Sequence, residues 1–265
     1  MNKKRILILL SGQLRYFSDK NYEILLKNLK DYHVEFFIAC WEQERDHLKK
    51  LFSNTYNPIK LIDLKNQNFS AQAKNILVPD TAVKSENVFH MWHSFSKGCK
   101  EIEKFPFKNY PDYILRYRSD ILPELNQHLN ISEFKKKNIL IPDRDHWNGV
   151  NDHFFIFRYK EIKYFSNIDV FLKDYKNKRL LFSSELIFQR FLKKNNFKIN
   201  YIDYDYKIMR RHKKNSTNKE EFKNIKVCLY DKFSIKLNKL QFKIRNFKSF
   251  FIKKKKRNNQ QDIII

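Results

Sequence analysis

The chain has few of the residues that form tight turns. It contains only 3 glycines and 6 prolines among its 265 residues. A β-sandwich with many tight turns and a glycine-rich phosphate-binding loop are therefore both disfavoured. Hydrophobic residues make up 42% of the chain and aromatic residues 16%, so a sizeable core can form and a disordered chain is not expected.

Paired cysteines and long apolar runs are also missing. The three cysteines, Cys40, Cys99 and Cys228, lie far apart and include no CxxC pair, which favours a reduced, cytosolic compartment. The apolar run 6–10 follows a basic start, but it is too short for a signal peptide. No stretch reaches the roughly 18 apolar residues of a transmembrane helix. We expect a cytoplasmic protein that is soluble or peripheral on a membrane.

Acidic residues are in the minority, and the imbalance is concentrated at one end. The net charge is +25, and between residues 207 and 257 Lys and Arg outnumber Asp and Glu by 19 to 3. The change of composition near residue 215 predicts a domain of residues 1–215 and a basic tail of residues 216–265.

Apolar residues recur in this tail at steps of three or four: Phe233, Leu237, Leu240, Ile244, Phe247 and Phe251. Basic residues lie between them. The pattern predicts a basic amphipathic helix, partly disordered at its end, on the anionic inner face of the cell membrane. A helix that packs on its own domain with a solvated basic face is the alternative.

The first part of the chain alternates strand and helix patterns. Apolar runs at 6–10, 34–40 and 59–63 are separated by segments with helical periodicity. This β-α-β-α-β order predicts a parallel sheet with right-handed crossovers. Apolar residues at helical spacing predict a long amphipathic helix over residues 85–104. The predicted class is α/β, with a mostly parallel sheet flanked by helices.

The stretch 113–120 (YILRYRSD) begins as a buried strand and ends in charged residues. Arg116, Arg118 and Asp120 alternate along it, so the period of two places all three on one face. Opposite charges at the carboxyl edge of a strand are typical of a ligand site in an open α/β sheet. A salt-bridged strand end is the alternative.

Asp120 is a candidate ligand for Mg²⁺ or Mn²⁺, because such a cation takes oxygen ligands and can also hold a diphosphate. Arg116 and Arg118 could carry the phosphate charge without a metal, by bidentate contact. The stretch SGQLR (11–15) follows the first predicted strand. At that junction backbone N–H groups and a helix N-terminus can bind an anion.

Two further carboxylates lie at element boundaries. Asp152 ends the polar segment 142–152 and precedes a predicted strand, and Glu185 lies in the first turn of a predicted helix. Either could be a general base that removes a proton from a sugar hydroxyl. For Glu185, compensation of the helix dipole is the alternative.

Six short segments in this order resemble a known family. They are SGQLR (11–15), FFIACW (36–41), MWHS (91–94), YILRYRSD (113–120), NDHF (151–154) and SE (184–185). The ordered set is similar to the WavE-type and related glycosyltransferases of bacterial surface-polysaccharide gene clusters. The similarity covers roughly residues 5–205.

The resemblance implies a GT-A-like (Rossmann-like) fold and a transfer reaction. A sugar would move from a nucleotide-diphosphate donor to a lipopolysaccharide, capsule or other lipid-linked glycan acceptor. The residues that would bind the nucleotide sugar are Ser11, Gly12, Gln13, Arg15, Arg116, Arg118 and Asp120.

The segment Arg118-Ser119-Asp120 would stand in for the DxD motif of that fold. An arginine replaces the first acid, so a divalent cation at Asp120 (Mn²⁺ or Mg²⁺) would be an optional cofactor. Asp152 would be the base or would bind the acceptor, with Glu185 as the second candidate.

Two other functions compete with this interpretation. The charge of +25 and the aromatic content suit a nucleic-acid-binding protein. No RNP, KH or zinc-finger pattern occurs, and the charge is concentrated in the tail, so a specific nucleic-acid partner is not expected. The other alternative is an inactive interaction protein with this fold, although the acids at 120, 152 and 185 count against it.

Overall fold

The computed structural model describes most of the first 209 residues. The described residues are 3–13, 19–42, 58–65, 67–73, 85–131, 134–146, 149–177 and 182–209. Arg15 and the predicted tail (216–265) lie outside these ranges. Within them, no helix combines the length and the apolar character that crossing a membrane requires.

Nine strands form two sheets in the described part of the chain. They are β1 (Arg5–Gly12), β2 (His33–Trp41), β3 (Lys60–Leu64), β4 (Tyr113–Tyr117), β5 (Ile121–Pro123), β6 (Asn138–Pro142), β7 (Phe154–Arg158), β8 (Lys198–Ile202) and β9 (Tyr206–Ile208). The larger sheet has seven strands in the order β3-β2-β1-β4-β7-β6-β8, and the smaller sheet pairs β5 with β9.

Most neighbouring strands of the larger sheet run parallel. β3, β2, β1 and β4 are parallel to one another, and β6 is parallel to β8. Only β7 runs antiparallel to its neighbours, β4 and β6. The predicted α/β class with a mostly parallel sheet is confirmed.

Helices cover both faces of this sheet. They are α1 (Asp19–Asn28), α2 (Ser70–Ala73), α3 (Ser85–Lys104), α4 (Ile162–Phe165), α5 (Ile168–Asn177) and α6 (Ser184–Lys194), with a 3-10 helix at Tyr159–Glu161. Residues of α3, α4, α5 and α6 share one core with one face of the strands, and α1 packs on the opposite face. Coverage on both sides explains why β1 carries a continuous apolar run rather than an alternating one.

The predicted long helix is confirmed with its bounds, since α3 spans Ser85–Lys104. The segment 197–208, whose mixed apolar pattern is typical of a single strand, forms two strands instead. Its first part forms β8 at the edge of the large sheet, and the chain then turns so that β9 pairs with β5. Strand propensity does not specify the sheet to which a strand belongs, so this division was not predictable from the pattern.

Candidate active site

The order of the strands reverses at β1, and this reversal marks a candidate ligand site. From β1 the chain proceeds outward through β2 and β3, and it returns to β4 on the other side of β1. In an open α/β sheet the crevice at such a reversal, outside the carboxyl ends of the strands, is the usual ligand site. The segments 11–13 and 118–120 lie at this point. They are joined directly, because Ser119 Oγ donates to the carbonyl oxygen of Gln13 over 2.9 Å.

Gly12 allows the chain to turn at the end of β1. Its φ is +89°, a value that residues with a side chain rarely adopt. A Cβ at this position would also lie 3.2 Å from Ser94 Oγ on α3. The backbone at the end of β1 can therefore pass close to the helix and keep the crevice free of a side chain.

Arg118 and Asp120 form a bidentate pair at the crevice. The guanidinium Nε donates to one carboxylate oxygen over 2.9 Å and Nη2 donates to the other over 2.5 Å. Burial lowers the pKa of Arg118, but the charge and hydrogen bonds of Asp120 outweigh this effect and raise the pKa above its ordinary value. β4 ends at Tyr117, so the predicted strand alternation does not extend to Asp120, which lies in a turn.

Arg116 lies beneath the crevice and is completely buried. The centre of its guanidinium is 5.1 to 5.9 Å from the ring centroids of Phe95, Trp92 and Phe155. One hydrogen bond, to Ser11 Oγ, measures 3.4 Å, and Nε and Nη2 have no hydrogen-bond partner among the described residues. Burial lowers the pKa of Arg116 to about 10, although the Asp152 carboxylate counteracts part of the effect. Arg116 is therefore a buried cation at neutral pH.

β7 brings a second group of residues to the same edge. Because β7 runs antiparallel to β4, its beginning lies beside the end of β4. The backbone N–H of Arg118 donates to the carbonyl oxygen of His153 over 3.1 Å. Asp152 and His153, which precede β7, are therefore held next to Arg118.

The start of α6 closes this group. Ser183 caps the helix, and its side chain accepts from the N–H of Leu186 over 3.2 Å. Ser184 Oγ donates a hydrogen bond to Asp152 Oδ2. Asp152 is 1% exposed, and its Oδ1 has no hydrogen-bond partner among the described residues. His153 Nε2 lies 3.6 Å from this oxygen.

Glu185 is the second carboxyl group of the cluster. Single side-chain atoms of Asp152, His153 and Glu185 lie within 4.8 Å of one another. Burial, followed by the charge of Asp152, raises the pKa of Glu185 to about 7, while Arg118 and Ser183 act in the opposite direction. A carboxyl group with a pKa near neutrality is suited to proton transfer.

Gly149 fixes the position of this helix start. The N–H of Val150 donates to the carbonyl oxygen of Glu185 over 3.1 Å. A Cβ at Gly149 would overlap that carbonyl group and the backbone nitrogen of Leu186. Two backbone segments therefore touch here with no space for a side chain, as expected for a glycine at a close approach.

We expect Gly149→Ala to destabilise the protein by about 1–3 kcal/mol, since the methyl group has to displace backbone atoms. Thermal melting measures the loss. Gly98→Ala is the matched control, because a Cβ there meets mainly side-chain atoms of Leu9, the nearest at 2.8 Å, and alanine is favoured over glycine within a helix. Equal stability of Gly149→Ala and wild type, or a greater loss in the control, would contradict this packing.

A polar network supports His153 from behind. His153 Nδ1 lies 3.3 Å from the hydroxyl of Tyr206, which also accepts a hydrogen bond of 2.7 Å from Asn151 Nδ2. The backbone N–H of His153 donates to Asn151 Oδ1 over 2.9 Å, and the guanidinium of Arg144 lies 4.6 Å from the ring centroid of Tyr206. These contacts orient the imidazole toward Asp152. Sequence reasoning assigned no role to His153 or Tyr206, although the segment 142–153 is conspicuously polar.

The structure brings most of the predicted site residues together and places one outside its described ranges. Arg15 is the residue that lies outside. The other predicted site residues lie at or next to the carboxyl edge of β1 and β4. They are Ser11, Gly12, Gln13, Arg116, Arg118, Asp120, Asp152 and Glu185.

A divalent cation can be considered at two positions. Both oxygens of Asp120 already accept from Arg118, so this carboxylate fits a metal ion poorly in the observed arrangement. Asp152, His153 and Glu185 have a spacing that a metal could bridge, but the charges of Arg116 and Arg118 act on Asp152, and a nearby cation opposes binding of another. These charges disfavour a further cation at the cluster.

Comparison with known proteins gives distant similarities only. No family model and no curated protein matches the chain. A structure of mouse xyloside xylosyltransferase 1 in its apo form is 12% identical with a TM-score of 0.42, over 75% of this chain and 85% of that one. The galactosyltransferase LgtC, solved with donor and acceptor sugar analogues, is 10% identical with a TM-score of 0.43, over 69% of each chain.

Proposed function

We propose that the chain is a GT-A-like glycosyltransferase that moves a sugar from a nucleotide-diphosphate donor to a glycan acceptor. One observation carries the proposal: the buried carboxyl group of Asp152 and the partly buried carboxyl group of Glu185 lie beside a cationic side chain at the sheet's switch point. A transferase of this kind needs a group that binds diphosphate and a base that receives the proton of the acceptor hydroxyl. Both requirements can be met within this one crevice.

The donor would lie across the ends of β1 and β4. Backbone groups at Ser11, Gly12 and Gln13 would contact the nucleotide, since the glycine in this turn permits close approach. Arg118 would bind the diphosphate, because a guanidinium matches phosphate oxygens in bidentate geometry. Asp120 would orient Arg118, or would release it and accept Mn²⁺ or Mg²⁺ when the donor supplies further oxygen ligands.

Asp152 is the base in this proposal. Its Oδ2 accepts a hydrogen bond from Ser184 Oγ, while the buried Oδ1 has no hydrogen-bond partner among the described residues and would receive the proton once a bound acceptor reaches it. The surrounding burial makes the contribution of a correctly placed base large.

The acceptor is proposed to be a lipopolysaccharide, capsule or other lipid-linked glycan, in keeping with the resemblance to the WavE-type enzymes. Such acceptors are located at a membrane surface, and the basic tail (216–265) would attach the enzyme to anionic lipid there.

We expect removal of the tail to release the protein from anionic liposomes in a flotation assay, with neutral liposomes as the control. Undiminished binding of the truncated protein would contradict this role.

A panel of nucleotide sugars tests the proposed donor. We expect one donor class to raise the melting temperature by roughly 5–10 °C at about 100 times its Kd. Asp120→Ala should reduce this shift, because Arg118 loses both hydrogen bonds that orient it. The panel is measured by thermal shift with and without Mn²⁺.

The matched control is Asp174→Ala, since Asp174 is an exposed carboxylate on α5, 3.9 Å from Lys194. A Mn²⁺-dependent increase that occurs in wild type and is lost in Asp120→Ala would assign the cation to Asp120. Equal shifts with and without Mn²⁺ would assign the phosphate charge to the arginine. Salt-sensitive binding of a random oligonucleotide, with no response to any donor, would overturn the proposal in favour of nucleic-acid binding.

A further inference from the structure

The carboxyl groups of Asp152 and Glu185 are too close to be ionised together at low cost. Asp152 is buried and Glu185 is partly buried, and their ligand atoms are separated by no more than 4.8 Å. Two like charges at such a distance repel, so ionising the second group costs more than ionising the first, and one proton is retained to a higher pH than usual. The contacts of the two carboxyl groups indicate which of them holds this proton.

The contacts of Asp152 place one hydrogen-bond donor and two cations around its carboxyl group. The hydroxyl of Ser184 donates to Oδ2, and a donated hydrogen bond stabilises a carboxylate. Asp152 is also the opposite charge that acts most strongly on the buried guanidinium of Arg116. Arg118 adds a second cation, since Asp152 acts on it as well.

The surroundings of Glu185 are less favourable to charge. Arg118 and the side chain of Ser183 favour its ionised form, but burial and the carboxylate of Asp152 have the larger effect. His153, the remaining titratable group of the cluster, lies with Nε2 against Asp152 Oδ1 and Nδ1 against Tyr206. Its ring is therefore engaged with Asp152 on one side and with β9 on the other.

Arg116 has no surface with which to bind a ligand. It is 0% exposed, it is surrounded by Trp92, Phe95 and Phe155, and two of its nitrogens have no hydrogen-bond partner among the described residues. A buried cation is costly unless it compensates a buried anion. Asp152 is the carboxylate that acts most strongly on Arg116, and it is the anion that Arg116 would compensate.

We propose that Asp152 and Glu185 share a single proton that resides on Glu185, and that Arg116 is the positioning residue that keeps Asp152 ionised as the base. In the transfer step, the acceptor oxygen bonds to the anomeric carbon as its proton passes to Asp152. The bond from that carbon to the diphosphate oxygen breaks, and its electron pair leaves with the nucleoside diphosphate. The catalytic meaning of this arrangement rests on the proposed function, whereas the protonation states do not.

A neutral Glu185 suits the charge of the donor. A second carboxylate in the crevice would repel the diphosphate, whereas a protonated carboxyl group can donate a hydrogen bond to the sugar or to the leaving oxygen. Buried carboxylic acids that remain neutral in order to donate a hydrogen bond are an established catalytic device. The pair thus provides one acceptor and one donor of protons.

Infrared difference spectroscopy of the free protein between pH 5 and pH 9 tests the proposal without any nucleotide sugar. We expect the carbonyl band of a protonated carboxylic acid in wild type, and its disappearance as the pH rises through about 7. Glu185→Gln should remove the component of the band with a midpoint near pH 7, whereas any component from Glu161, whose pKa burial also raises, should remain. Asp152→Asn should shift its disappearance to lower pH, because the neighbouring negative charge is gone. Absence of the band, or a midpoint that Asp152→Asn leaves unchanged, overturns the shared proton.

Arg116 is tested in the background of Glu185→Gln. Adding Arg116→Met should make a protonated-acid band return, now from Asp152, whereas adding Arg116→Lys should not, because lysine keeps the charge. No band in the folded Arg116→Met double variant overturns the role of Arg116. If that variant does not fold, Arg116→Gln provides the same comparison. If the protein binds Mn²⁺ and this binding requires both Asp152 and Glu185, the two groups form a metal site and the shared proton is overturned. If no nucleotide sugar raises the melting temperature, the proposed function fails but these infrared measurements are unaffected.

Discussion

Replacing Asp152 by Asn is expected to slow sugar transfer by about 10²–10⁴-fold, the usual contribution of a positioned general base. Asn has the same shape and can still accept from Ser184, but its amide cannot take the proton of the acceptor hydroxyl. Donor binding should persist, because the proposed diphosphate contacts belong to Arg118. The loss should therefore appear in kcat, measured under saturating donor and acceptor, with the donor identified by thermal shift.

Two variants delimit this effect. Asp174→Asn removes an exposed carboxylate of the same chemistry on α5 and should leave kcat unchanged. Ser184→Ala removes the hydrogen bond to Asp152 Oδ2 and should have an intermediate effect, since Asp152 keeps its charge but loses an orienting contact. An Asp152→Asn variant with unchanged kcat and a raised KM for the acceptor would show that Asp152 binds the acceptor and that the base is another group.

The framework that supports Asp152 was largely predictable from residue patterns. The apolar run 6–10 became β1, buried on both faces, and the helical spacing over 85–104 became α3. Hydrophobic periodicity reports which faces of an element are buried. A continuous apolar run matches a strand buried on both faces, and apolar residues at steps of three and four match a helix buried on one face. Their position next to one another follows from the β-α-β rule, so the location of the crevice was also implicit in the sequence.

The contact between Asp152 and α6 was not predictable in the same way. Asp152 and Glu185 were each identified as candidate bases, but they are distant in sequence and their proximity depends on the direction of β7. The apolar run 154–157 predicts a buried strand, but its pattern is the same for a parallel and for an antiparallel strand. Periodicity therefore does not reveal that this strand is antiparallel to β4. His153 therefore appeared to be an ordinary residue before a strand.

The stretch 113–120 was correctly identified as a strand that ends in charged residues, but its charged side chains do not share one environment. Alternation placed Arg116, Arg118 and Asp120 on one face as equal candidates. The structure pairs Arg118 with Asp120 and buries Arg116 among aromatic rings. Arginine is rarely buried without a partner, so a pattern based on average behaviour assigns it to the surface. The buried position becomes understandable once the charge of Asp152 is known.

Glu185→Gln is expected to change the dependence of stability on pH. The folded-state pKa of Glu185 is raised from 4.5 to about 7, so the folded protein holds a proton that the unfolded chain releases. Stability from this group is fully present below about pH 4.5 and is lost as the pH rises through 7. Since one pKa unit corresponds to about 1.36 kcal/mol, the loss amounts to at most roughly 3 kcal/mol. Glutamine carries no charge and should not lose it.

Urea unfolding of wild type and Glu185→Gln at intervals from pH 4.5 to pH 8 measures this difference. The free energy of unfolding of the variant, relative to wild type, should increase steadily across the range and level off above pH 7. Glu101→Gln is the control, because Glu101 is a partly exposed carboxylate on α3, 3.6 Å from Lys60, and should follow the wild-type curve. Parallel curves for wild type and Glu185→Gln would mean that Glu185 is ionised in the folded protein throughout, which would exclude it as a neutral proton donor in the crevice.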